Sequence, residues 1–268
     1  MLIKAAINGG RSKAEHAATP VDPDEQAAAV LDCLHAGANA IHLHVRSPSS
    51  RGFEPDGEGF IAEESLLAEK ESLYAEDVAH TLLAVRAAAP NAAIGVSTGA
   101  WILPDPAERF KTVAAWEVLP DFASVNFIED GATELATLLL SRGVGVEAGL
   151  SDAQAAEVFA KSGLALTCLR VLLEPQEQEL KQALENVAAM ERILNSASLQ
   201  LPPLLLHGTE ATVWPLMDEA IARGYDIRVG LEDTLVLPDG SVARDNVELI
   251  TEAVRRCSGL ARSSEFKL

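Results

Sequence analysis

The chain repeats one unit, a short apolar segment followed by a polar turn and a helix-like amphipathic stretch, and the number of these units limits what it can fold into. Eight segments read as strands: Ile3–Asn8, Ala40–Arg46, Ala93–Ser97, Phe122–Phe127, Gly143–Glu147, Leu164–Leu172, Leu204–His207 and Asp226–Leu231. Between most of them lie helical candidates, at Asp24–His35, Ala75–Ala88, Pro106–Trp116, Asp152–Ser162, Gln176–Leu194, Thr212–Arg223 and Asn246–Ser258. Several open with capping chemistry, as in Thr19-Pro-Val-Asp-Pro, Pro104-Asp-Pro and Ser151-Asp. Alternation sustained over about 250 residues is what a (β/α)8 TIM barrel requires. A doubly wound open sheet uses the same alternation, but no Gly-x-Gly-x-x-Gly or Gly-x-x-x-x-Gly-Lys follows any strand. The expectation is an α/β chain whose 268 residues form one barrel domain.

One connection breaks the rhythm. Ser47–Tyr74 carries Pro48, Gly52, Pro55, Gly57 and Gly59 and then an acidic run, and it leaves directly from the second strand. A stretch of that length without a core pattern reads as a loop that borders or covers a site. Charge narrows the partners: 21 Lys plus Arg against 40 Asp plus Glu give a formal net charge of -19, the wrong field for nucleic acid or an anionic membrane. Cys33, Cys168 and Cys257 are far apart with no Cys-x-x-Cys pair, so no disulfide scaffold or thiolate zinc knot is indicated. The opening MLIKAAINGGR turns polar too soon for a signal core or a membrane span. A soluble, cytoplasmic protein is the working reading.

Ile41-His-Leu-His-Val-Arg is the most informative hexapeptide. Side chains two apart on a strand share a face, so His42 and His44 point one way while Ile41, Leu43 and Val45 point the other. Two imidazoles on one face can chelate a borderline-soft metal, and a carboxylate from another strand would complete a three-ligand site with open positions. The same spacing also suits two hydrogen-bonded core histidines. A carboxylate partner is available in Arg228-Val-Gly-Leu-Glu-Asp. In a closed eight-strand barrel strands two and eight both flank strand one, so Glu232 can approach both histidines. Glu232 could instead cap the turn that follows, a role open to Asp233 and Thr234 as well.

Further polar residues end the other strands: Asn8, Arg46, Ser97 with Thr98, Asn126 with Glu129, Glu147, Arg170 with Glu174, and His207. Their convergence on one mouth is the stronger signal, because all carboxyl ends of a barrel open there. Glu147 reads as a base or a supporting carboxylate. Arg228 and Arg46 could each grip a substrate carboxylate bidentately, or brace the barrel by pairing with a glutamate.

Through Lys4-Ala-Ala-Ile-Asn-Gly, Gly37-Ala-Asn-Ala-Ile-His-Leu-His-Val-Arg, Val96-Ser-Thr-Gly, Ser124-Val-Asn-Phe and Arg228-Val-Gly-Leu-Glu-Asp the chain resembles the beta-keto acid cleavage enzyme family almost end to end. The resemblance implies a zinc-dependent barrel with His42, His44 and Glu232 as metal ligands. It implies Arg228, Asp233 and Glu147 in substrate activation, and Ser97, Thr98 and Asn126 as substrate contacts. It also implies acetyl-CoA as cosubstrate: a beta-keto acid condenses with it, and the adduct breaks into acetoacetate and a new acyl-CoA. Homo-oligomers are the rule the resemblance carries. The stretch Leu206-His-Gly-Thr-Glu-Ala-Thr-Val-Trp departs from the family pattern, so His207 takes no role from it. Two other readings compete: a metal-dependent aldolase, lyase or hydrolase acting on a small keto acid without CoA, and a non-enzymatic barrel that binds a metabolite.

Overall fold

The computed structural model describes residues 1–47, 70–197 and 200–264. Its elements alternate as β1 (Ile3–Ala6), α1 (Pro23–Ala36), β2 (Ala40–Leu43), α2 (Ala75–Ala88), β3 (Ile94–Ser97), α3 (Pro106–Ala114), β4 (Phe122–Asn126) and α4 (Ala132–Ser141). They continue as β5 (Gly145–Leu150), α5 (Ala153–Ser162), β6 (Arg170–Leu173), α6 (Leu180–Ser196), β7 (Leu204–Leu206), α7 (Val213–Arg223), β8 (Asp226–Val229) and α8 (Asn246–Ser264). All eight strands are parallel and close into a barrel in chain order. The open-sheet alternative is thereby excluded.

Local chemistry accounts for three of the helix starts. Asp22 and Glu25 form a reciprocal capping box before α1, Asp105 accepts from Ala107 and Glu108 at α3, and Asp152 accepts from Ala155 at α5. α4 has no place among the sequence expectations. It starts at Gly131 in a left-handed conformation without a side-chain cap, and Leu138-Leu139-Leu140 blurs its periodicity. Strands β1, β2, β7 and β8 end one to three residues before the expected bounds, and two others are shifted. β5 runs on to Leu150, whereas β6 starts only at Arg170, because Gly163 ends α5 in the left-handed region and Leu164–Cys168 closes into a turn.

Strand alternation divides the side chains. Ala5, Ile7, Ile41, Leu43, Val171, Ile227 and Val229 join the apolar layer under the helices. The barrel interior holds ions as well as apolar groups. Lys4 on β1 pairs with Glu147 on β5, Glu147 pairs with Arg170 on β6, and Arg170 Nε lies 3.1 Å from Asp226 on β8. Burial is the largest influence on Glu147 and pushes its carboxyl up, yet Lys4 and Arg170 outweigh it and hold the group below the ordinary glutamate value. Burial likewise drives the Lys4 amine down. Lys4 lies one inward step before Ala6, which is paired with His42, so this cluster is a layer nearer the amino ends than the His42 ring.

Closure places the site. β1 takes β2 on one side, Ala6 opposite His42, and β8 on the other, Lys4 opposite Arg228. Gly230 allows the end of β8 to press against β1: a Cβ there would run into the Ala6 carbonyl, and Glu232 N donates to that same oxygen at 3.2 Å. Glu232 is thus drawn to the carboxyl end of β1 beside His42.

Candidate active site

His42 Nε2 and His44 Nε2 stand 3.1 Å apart, with Glu232 Oε1 3.3 Å from His44 Nε2 and Glu232 Oε2 3.7 Å from His42 Nε2. These three residues form the one group of histidine, cysteine or acidic side chains with metal-binding spacing among the described residues. The donor set fits a divalent cation. Glu232 Oε2 is buried without a hydrogen-bond partner, and two facing imidazole nitrogens can offer their lone pairs to one ion. His44 Nδ1 is hydrogen-bonded to Glu71, which leaves Nε2 as the nitrogen that could hold an ion.

The electrostatics agree. Burial weighs against a charge on His44, but Glu232 and Glu71 overcome it and raise the imidazole to about 9. His42 is driven well below the usual histidine value, chiefly by burial. Glu232 is held far below the usual carboxylate range; burial opposes ionisation, and Arg228, His44 and His42 together outweigh it.

Arg228, on β8, ties Glu232 to Asp233. Its Nε lies 3.2 Å from both Asp233 oxygens, while Nη2 donates to Asp233 Oδ1 at 2.7 Å and also to Glu232. The guanidinium fork is therefore occupied by Asp233, and Nη1 has no protein hydrogen bond among the described residues. Asp233 is fully buried, and burial lifts its carboxyl above the ordinary aspartate value despite Arg228.

These groups open onto a cavity of about 490 Å³. His42, His44, Glu232, Arg228, Asp233, Ser97 and Asn126 line it. Three of the expected site residues do not. Glu147 is enclosed between Lys4 and Arg170; Arg46 donates through Nη2 to the carbonyls of Gly9 and Arg11, bracing the loop after β1; and the Thr98 hydroxyl is turned to the Ser124 carbonyl at 2.7 Å.

Two residues beside the metal-spaced histidines, Glu71 and Trp101, escaped the sequence reading. Glu71 backs His44 and also accepts from Trp101 Nε1 at 3.1 Å, with the Trp101 ring stacked over His44 at 6.1 Å between centroids. Glu71 sits in an acidic run in which spacing singles out no residue. Of the long connection, 48–69 lie outside the described residues. Its two ends meet at the mouth, where Arg46 bridges Glu71, Ser47 N donates to Lys70 O at 2.8 Å and Ser72 N to Val45 O at 2.9 Å. Glu174 and His207 face each other across the other side of the cavity, Nε2 to Oε2 at 3.3 Å.

A family model described as beta-keto acid cleavage enzyme matches residues 1–264. The chain belongs to the beta-keto acid cleavage enzyme family. A 3-keto-5-aminohexanoate cleavage enzyme of Fusobacterium nucleatum is 26% identical over 98% of this chain and 93% of that protein. Among solved structures the barrel is similar to ObcA in a ternary complex with a C4-CoA adduct and oxalate, at TM-score 0.67 and 18% identity over 91% of this chain. It is also similar to ObcA in a binary complex with oxaloacetate, at TM-score 0.65 and 17% identity over the same share of this chain. This chain spans 64% of the length of those ObcA chains, and the likeness is one of fold. Within the family frame, the His-x-His pair, the β8 glutamate and the Arg–Asp pair occupy a single mouth here. Among the described residues no helix is long and apolar enough to cross a membrane.

Proposed function

We propose that this chain is a zinc-dependent beta-keto acid cleavage enzyme that condenses a beta-keto acid with acetyl-CoA and releases acetoacetate and a new acyl-CoA. The observation that carries the reading is the convergence of His42, His44 and the partnerless Glu232 Oε2 within a cavity that also holds the Arg228–Asp233 pair. His42, His44 and Glu232 would hold the ion, and a divalent ion there would polarise the ketone of the substrate.

The side chains take defined roles. Asp233, fully buried in the cavity wall beside Glu232 and raised above the ordinary aspartate value by that burial, removes or returns a proton at the reacting carbon. Arg228 keeps Asp233 and Glu232 in place through Nε and Nη2 and offers Nη1 to the substrate carboxylate. Ser97 and Asn126 contribute polar contacts from β3 and β4. Glu147 acts at a distance, as part of the ion cluster that positions β8 through Lys4 and Arg170, and Arg46 and Thr98 support the loops that frame the cavity.

Acetyl-CoA as cosubstrate separates this reading from an aldolase, lyase or hydrolase built on the same ligands. The test is elemental analysis of the purified protein followed by turnover of a panel of beta-keto acids with and without acetyl-CoA. Zinc near one per chain and acetoacetate formed only with acetyl-CoA are expected. Cleavage that proceeds equally without the thioester would replace the proposal with the hydrolase or lyase reading.

A further inference from the structure

Glu232 and Asp233 sit on a tight turn at the end of β8, and the backbone of that turn is fixed from outside as well as from within. Asp233 N closes it on Gly230 O at 2.9 Å, Glu232 N reaches Ala6 O, and Leu231 N donates to Asn246 Oδ1 at 2.8 Å. The carbonyls on either side of Glu232 are taken by other loops. Leu231 O accepts from Arg11 Nε at 2.6 Å, and Asp233 O accepts from Glu210 N at 2.7 Å.

These two outside donors are joined to each other. Arg11 Nη2 donates to the Glu210 carboxylate, so one guanidinium links the loop after β1, the loop after β7 and the turn after β8. Arg46 braces Arg11 in turn, its Nη2 donating to Arg11 O at 2.9 Å. Glu210 is held on both flanks by Gln178, which accepts from Ala211 N at 3.1 Å and donates to Thr209 Oγ1 at 3.0 Å.

The Glu210 backbone shows what the arrangement demands. Its φ is +48°, the one positive value outside glycine among the described residues. Glycine adopts the left-handed region freely, whereas a glutamate stays there only where its surroundings over-determine it. Here its amide is committed to Asp233 and its carboxylate to the arginine that grips Leu231. An ion pair so near solvent adds little stability, since the Glu210 side chain is 53% exposed. Its value is geometric: a planar guanidinium serves the carbonyl and the carboxylate together, and a lysine can serve only one of them in that way.

We propose that Arg11 and Glu210 are positioning residues that clamp the turn after β8, presenting Glu232 to the histidine pair and Asp233 to the reacting carbon. What the turn delivers rests on the proposed function, while the clamp itself belongs to the metal-free protein.

The test compares the unmodified protein with Arg11→Lys, Glu210→Gln and Glu210→Gly. Amide hydrogen exchange across 230–234 is measured without metal, zinc affinity by chelator competition, and kcat and KM by acetyl-CoA-dependent turnover. Exchange is expected to quicken at least about fivefold while the unfolding temperature changes little. Zinc affinity should fall about tenfold. The value of kcat should fall about tenfold with KM within about twofold, because a displaced base costs rate more than binding. Glu210→Gly separates the clamp from backbone strain: were the side chain idle, glycine would fit the left-handed backbone better and leave exchange, zinc and kcat unharmed. Unchanged exchange in the three variants overturns the clamp whatever the reaction. Faster exchange with zinc affinity and kcat unaltered, in a protein that turns over, overturns its service to the site. Faster exchange in the variants of a protein whose unmodified form makes no acetoacetate keeps the clamp and overturns the proposed reaction.

Discussion

Glu71 and His44 lie 27 residues apart at opposite ends of the long connection, and they meet through a hydrogen bond from the Nδ1 side of the imidazole to a Glu71 carboxylate oxygen. In the proposed metal site the bond would set the tautomer of His44 and raise its basicity. Glu71→Ala should weaken zinc binding about 10- to 100-fold, read by chelator competition, with the unfolding transition of the metal-free protein little changed. An unaltered zinc affinity would reduce Glu71 to a rim residue that only anchors Trp101.

Glu232→Gln keeps almost the same volume but removes the anionic oxygen that a cation prefers. Bound zinc and turnover should both fall sharply, while the barrel remains folded because its core draws on apolar residues from all eight strands. His42→Ala and His44→Ala should show the same loss of metal, with some added packing cost because both rings are buried. Elemental analysis alongside thermal unfolding checks all three, and a normal zinc content in Glu232→Gln would remove that residue from the ligand set.

Arg228→Lys should lower kcat by one or more orders of magnitude while zinc is retained. A lysine cannot reproduce the planar fork that holds both oxygens of Asp233, and a misplaced base costs rate more than it costs metal. Steady-state kinetics with metal analysis on the same sample decide this; unchanged kcat would end the assignment of the Arg228–Asp233 pair to the reaction.

The interior ion cluster makes a stability prediction with a definite sign. Lys4→Met would leave Glu147 buried beside Arg170 alone and should cost about 3–5 kcal/mol, of which the double variant Lys4→Met with Glu147→Gln recovers a part. Glu147 has a folded pKa below its ordinary value, since Lys4 and Arg170 outweigh burial. Its contribution is therefore complete above the unfolded carboxylate value, about 4.3, and is lost as pH falls through the lower folded value. Denaturant unfolding between pH 7 and pH 3 should show a steeper acid loss in the unmodified protein than in the double variant. Parallel acid profiles would mean that other carboxylates dominate.

The residues by themselves determined the barrel and the heart of its site. Eight apolar segments with helical stretches between them allow few closed arrangements, and strand geometry alone puts His42 and His44 on one face and sends Glu232 toward them once β1 is flanked by β2 and β8. Tertiary structure decided what each polar strand end touches. Glu147 looked like any mouth carboxylate, but inward neighbours on β1 and β6 enclose it. Arg228 looked like a free fork for substrate, but Asp233 occupies it. Glu71 and Trp101 reached the His44 ring, and Glu174 met His207, only through packing between segments that are distant in sequence. The periodicity of a chain encodes which way a side chain points. Its partners, and hence its charge state and its role, depend on the neighbouring strands and on how far each side chain reaches across the barrel.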